Sequence, residues 1–255
     1  MSTSIPPVST EAAPAGLSEP QRIVNAFLAP SKTFEDIRHN SSWWVPWLLG
    51  SILAMSFFLT VDKKVGFETV AKNQMENAGG FAQRAMGRLT PEQREEALQR
   101  QAKIQRIGTL YFTWLVSLLF SVVAAAVLMA IFNFVLEADI PFRQALAILF
   151  YATLPKSISL VLGIVVLLIG VDASAYDLQN PVASNLGALL DPNMVGKFLF
   201  RFGTFIDLFS IWTVILLGMG FAKLSRKKIS TATGITAVAV LYTILALVGA
   251  GLAAL

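Results

Sequence analysis

Hydrophobic and polar positions along this chain gather in long blocks. Five stretches run wholly or nearly free of charge, at about residues 43–61, 107–136, 143–171, 198–224 and 229–255. Each is long enough for a helix to cross a hydrocarbon core, which takes roughly 20 apolar residues. The second is uncharged from Ile107 to Leu136, a length that implies tilt or a turn outside the hydrocarbon. The pattern therefore predicts an all-α fold, a polytopic membrane bundle of five transmembrane helices. Trp43, Trp44 and Trp47 open the first span, where amphipathic rings act as anchors at headgroup level.

The polar blocks have their own grammar. Residues 1–17 hold prolines and small polar residues, which reads as a disordered tail. They lack the basic start and apolar stretch of a cleaved signal peptide. Residues 18–255 read as one membrane domain. Ser18, Pro20 and Gln21 combine a capping residue, a first-turn proline and a partner three residues on, so a helix starts there. Pro30 and Ser31 restart a second short helix with Phe34 and Ile37 on one side. This amphipathic N-terminal pair suits the membrane surface; the other reading packs it against another part of the protein. Residues 62–106 carry nine basic and six acidic side chains, interrupted at Gly79-Gly80 and restarted at Thr90-Pro91-Glu92-Gln93. They predict a helical polar loop.

Within the spans, Ser117, Ser121 and Ala125, and again Ala246, Ala250 and Ala254, recur at every fourth position, the spacing that lets helices approach closely. Pro155 and Lys156 fall in the middle of span three. A proline there removes a backbone hydrogen bond, so the span is either one kinked helix or an interfacial helix followed by a steeper one. Lys156 and Asp207 are the intramembrane polar candidates, since charges within a span are costly and face a partner or a wet cavity. Antiparallel spans three and four would let them pair. Such a pair, or two separately snorkelling groups, would fasten the bundle; the alternative is a path for a substrate, ion or proton.

Composition changes the picture mainly by exclusion. With 55% apolar and 14% charged residues, the chain is unlike a soluble domain. It has no cysteine and one histidine, His39, beside span one, so thiol chemistry is excluded and no catalytic, cofactor or metal site is expected. The net charge of +4 is assigned to loop orientation and acidic headgroups, not to nucleic acid. A simple count of basic residues places eleven beside the first loop's face and eight beside the N-terminal face. The compact run Lys223, Arg226, Lys227 and Lys228 at the end of span four instead favours a cytoplasmic N-terminus.

Several segments resemble the bacterial branch of the Yip family, the Ypt-interacting-protein membrane domain. They are Pro30 to Ile37 (PSKTFEDI), Trp43-Trp44-Val45-Pro46, the tyrosine, three residues and proline of Tyr151 to Pro155, and Asp207 to Trp212 (DLFSIW). The resemblance implies five spans, a cytoplasmic N-terminus, a short C-terminus on the far side and no cofactor; in a bacterium it implies the inner membrane. Eukaryotic members are linked to small GTPases of the Rab type, vesicle traffic and membrane shaping. The function expected is thus a non-enzymatic membrane protein that binds lipids and other membrane proteins or organises the bilayer, with a homo-oligomer possible. The rival expectations are a transporter or channel component using Lys156 and Asp207, and an accessory subunit of a membrane enzyme or exporter.

Overall fold

The computed structural model describes residues 16–76, 80–170 and 172–254. The tail prediction therefore lies outside the described residues except at Gly16 and Leu17, and Gly79 of the glycine pair also lies outside. Among the described residues there is no strand, and twelve α-helices follow one another. The chain is an all-α polytopic bundle.

Two short helices come first. α1 (Glu19–Leu28) begins where Ser18 N–H donates to Gln21 Oε1 at 2.9 Å. It stops at Ala29, and Pro30 opens α2 (Pro30–Ile37). Phe34, Ile37 and Ala26 are fully buried against the rest of the bundle. The pair thus turns its apolar face to the protein rather than to lipid, because α2 finds a seat on the central helices described below. Phe27 packs edge-on against Trp212 at 5.9 Å, while Val24 and Leu28 stay exposed.

α3 (Trp44–Lys64) is the first span. Only Trp44 of its opening tryptophans is strongly exposed. Trp43 stacks on Phe150 at 5.7 Å, and Trp47 meets Trp114 edge-on at 6.4 Å. The polar loop folds as α4 (Phe67–Glu76), α5 (Gly80–Gly87) and the start of α6 (Pro91–Val135). The Thr90–Gln93 capping box forms as expected, with the Thr90 hydroxyl accepting from Gln93 N–H and the Gln93 amide oxygen accepting from Thr90 N–H. The restarted helix does not end before span two but becomes it. At 45 residues α6 is about 67 Å long, over twice the roughly 30 Å hydrocarbon thickness. Its first turns extend beyond the span, where α4 packs against them through Phe67 and Ala71, and Arg106 grips Asp62 with two nitrogens at 2.8–3.0 Å.

Span three divides into α7 (Phe142–Ala152) and α8 (Pro155–Ile169). Pro155 has no N–H to give, and the chain passes through Thr153 and Leu154 in a tightened turn. α7 is the centre of the fold: every residue from Ala145 to Ala152 is buried. After Arg143 and Gln144 in its first turn, it is apolar all round except for the Tyr151 hydroxyl because protein surrounds it, which argues against the interfacial-helix reading.

The predicted span four is also divided. α9 (Pro192–Val195) and α10 (Lys197–Phe205) precede α11 (Leu208–Leu224), whose 17 residues give about 25 Å. Backbone groups freed at the break are taken up by the preceding loop: Leu208 N–H bonds Ser184 C=O and Leu186 N–H bonds Ile206 C=O, both at 3.1 Å. That pairing keeps the irregular backbone satisfied, as a low-dielectric setting requires. α12 (Thr231–Ala254) closes the fold. Four helices, α3, α6, the α7–α8 pair and α12, are long and apolar enough to span, and α11 is a shorter apolar helix. α11 and α12 touch backbone to backbone, since a Cβ on Gly218 would lie 2.3 Å from Ile235 Cα.

The turn between α6 and α7 carries Glu137 and Asp139, both with left-handed backbone. It meets the turn between α11 and α12: Arg226 pairs with Asp139 at 2.5 Å, and Lys227 with Glu137. Lys223 reaches Glu35 of α2 at 3.6 Å. The two turns and the N-terminal helices thus share one end of the bundle, called the entry face below.

Candidate functional site

Two polar centres stand out, and each is built around one basic side chain. The first holds the entry helices in place. Arg22 lies on the face of α1 that also carries Ala26, and its side chain is fully buried. Its Nε donates to Asp36 Oδ2 at 2.5 Å, and Nη2 donates to the Asn40 carbonyl at 2.7 Å while also contacting Asp36. Nη1 makes no hydrogen bond but lies 3.5 Å from Glu19. Glu19 in turn accepts from the Tyr151 hydroxyl at 2.6 Å. Thr33 Oγ1 donates to the Arg22 carbonyl at 2.9 Å, and Leu17 N–H caps the other Asp36 oxygen at 2.9 Å.

Burial opposes the charge on Arg22, but the neighbouring Tyr151 hydroxyl and the hydrogen bond and attraction to Asp36 outweigh it, so its pKa stands above the ordinary value. The cluster ties α1, α2 and central α7 together. Tyr151 was singled out in the sequence; Glu19, Arg22 and Asp36 were not. The available signal was Arg22 itself, a charge in line with Ala26 one turn on. Pro155, the other member of the tyrosine–proline element, starts α8 and is buried. Phe34 and Ile37 support the cluster from below, and Gly220 of α11 makes room for the Phe34 ring, which would lie 3.0 Å from an added Cβ.

The second centre is a groove of about 220 Å³ between α3, α6 and the α7–α8 junction. Trp47, Ser51, Ser121, Lys156 and Ser157 are among its lining residues. Lys156 has no ion pair within 4.0 Å and no hydrogen bond from its ammonium among the described residues. Asp207 acts on it electrostatically from farther away. The expected ion pair is absent because Asp207 is otherwise engaged. The break before α11 makes it a helix N-cap, with Oδ2 accepting from Ser210 N–H at 2.8 Å and Oδ1 from the Ser184 hydroxyl at 2.5 Å.

No group of three or more potential metal ligands occurs among the described residues. Compared with known protein families, residues 24–251 match the Yip1 domain. The chain belongs to the Yip1-domain family. The match covers α1 from Val24 through most of α12, so α2, the divided spans three and four and the Lys156 groove fall within the Yip1 domain, whereas Glu19 and Arg22 of the first polar centre precede the matched residues. It is a match to the family as a whole and does not bear out assignment to a bacterial branch. No curated protein and no solved structure matches the chain significantly.

Proposed function

We propose that this Yip1-domain protein is a non-enzymatic membrane organiser that recruits protein partners at its entry face. The observation that carries this reading is the anchoring of α1 and α2 through Arg22, Asp36, Glu19 and Tyr151. A helix pair held by a buried ionic cluster is a rigid platform, and rigid presentation lowers the entropic cost of binding. Its outward side offers Val24 and Leu28, exposed by 52% and 80%, beside the paired charges of the two turns. The entry face is cytoplasmic in this reading.

Replacing Val24 and Leu28 together with serine tests the role without touching the cluster. Membrane insertion and melting in detergent are expected to stay unchanged, while partners that co-purify with the wild type are lost. Recovery of the same partners in the same amounts would overturn the reading. The chain has no cysteine, so a single cysteine placed at Lys228 or at Arg94 reports sidedness without background; labelling of Lys228→Cys from outside intact cells would reverse the orientation. A transport role finds support in the divided spans and unpaired Lys156, and flux of small ions into sealed vesicles is the measurement that would favour it.

A further inference from the structure

We infer that the groove between α3, α6 and the α7–α8 junction binds the headgroup of an anionic phospholipid, with Lys156 as its cation. The proposal does not depend on the role given to α1 and α2. It starts from a cost: an ammonium within a membrane bundle is retained only with a partner or a wet surface. Arg22 has its partners within the protein. The Lys156 ammonium has no hydrogen bond or ion pair among the described residues, yet the residue lines a groove between spans.

Depth identifies the occupant. The Phe57 ring would lie 2.8 Å from a Cβ on Gly163, so these two residues are level. α3 and α8 run in the same direction, and counting back seven positions along both places Lys156 level with Gly50. Gly50 is six residues inside Trp44, the first residue of α3, or about 9 Å from the entry-face end. A lysine stem can extend its ammonium by several ångströms along the groove toward that end. By this count Lys156 lies nearer the leaflet at which α3 starts than the opposite one, and a snorkelling side chain can extend toward its headgroups.

The walls fit a phosphate ester. The Ser51 hydroxyl is buried and has no hydrogen-bond partner, and Ser121 and Ser157 add hydroxyls to the same lining. Trp47 stands at the rim, its Nε1 donating to the Trp114 carbonyl at 3.4 Å. A basic, hydroxyl-bearing recess between membrane helices, flanked by indole rings, complements a headgroup with apolar tails alongside. Every lining residue belongs to one of the helices long and apolar enough to span or to the α7–α8 junction, which favours a lipid over a free anion.

The test uses the full chain in nanodiscs or neutral detergent, with lipid retention read by native mass spectrometry. Phosphatidylglycerol is expected to be retained about fivefold to tenfold over phosphatidylcholine. K156Q should bring the two lipids to parity, K156R should keep the preference, and S51A should reduce it. K228Q, which removes a charge from the entry-face turn, should leave it intact. A K156Q protein that still prefers the anionic lipid would overturn the proposal. So would displacement of the lipid by millimolar inorganic phosphate, which would mark a free-anion site. If K156Q does not survive extraction, S51A decides, and an unchanged preference at unchanged melting temperature counts against the site.

Discussion

Arg22 and Lys156 are both cations set among apolar residues, and the fold treats them in opposite ways. Arg22 is enclosed and meets Asp36, Glu19 and the Asn40 carbonyl. Lys156 stands in a groove with hydroxyls around it and no anion within ion-pairing distance. The planar guanidinium suits the first setting, because several fixed donors can satisfy several fixed acceptors at once. A flexible ammonium suits the second, where the partner is mobile or comes from outside. Enclosure among fixed acidic partners builds structure, whereas a charge left in an open groove is available for binding.

The sharpest way to break this comparison is to remove Arg22. R22A leaves the Asp36 carboxylate facing a buried space without its cation, a situation that costs about 3 to 5 kcal/mol. We expect a loss of that order in denaturant unfolding of the detergent-solubilised protein, together with release of α1 and α2 to proteolysis near Ala29. R22A combined with D36A should be less harmful than the sum of the single changes. A stability loss below about 1 kcal/mol would mean that the cluster is not structural.

The contrast also marks what could be seen in the sequence. The apolar helices, both capping signatures and the break at Pro155 were visible because they depend on local pattern: runs of apolar residues, a cap with its partner three residues on, and a ring that cannot donate. Ala246 and Ala250 are buried as their spacing suggested. Burial of Arg22 was not visible, since a charged residue in a short amphipathic helix ordinarily faces water. Its partners are 14 residues away at Asp36 and, through Glu19, on α7. The interruption at Asp207 was hidden for a similar reason. Hydropathy runs almost unbroken from Phe198 to Leu224, and the break is tolerated only because residues 184–186 come from elsewhere to satisfy the backbone.

That second interruption yields a smaller effect and sharpens the isolation of Lys156. D207A removes the cap on α11 and leaves the Ser184 hydroxyl without its acceptor, at about 0.5 to 2 kcal/mol. Asp207 is beyond ion-pairing distance from Lys156 but still acts on it electrostatically, so D207A and K156M should couple only weakly, by under about 1 kcal/mol. Equilibrium unfolding of the four proteins of the cycle measures this. A coupling well above that figure would place the two charges in one unit and remove the ground for giving Lys156 an external partner.

The smallest effect concerns exposed charges, which lie at the other extreme from both buried cations. Lys227 holds the Glu137 carboxyl below its ordinary pKa of 4.5 through a hydrogen bond and direct attraction. A carboxyl with a depressed folded-state pKa stabilises the fold above its unfolded value, and that contribution disappears as pH falls through the folded one. The clasp between the α6–α7 and α11–α12 turns should therefore hold at neutral pH and loosen only below about 4.5. Melting temperature followed from neutral pH into that acid range should show a shallow decline that E137Q reduces. Both groups are well exposed, so solvent and salt screen the pair and the decline should flatten further in high salt. An equally steep decline in E137Q would assign the acid sensitivity to other groups.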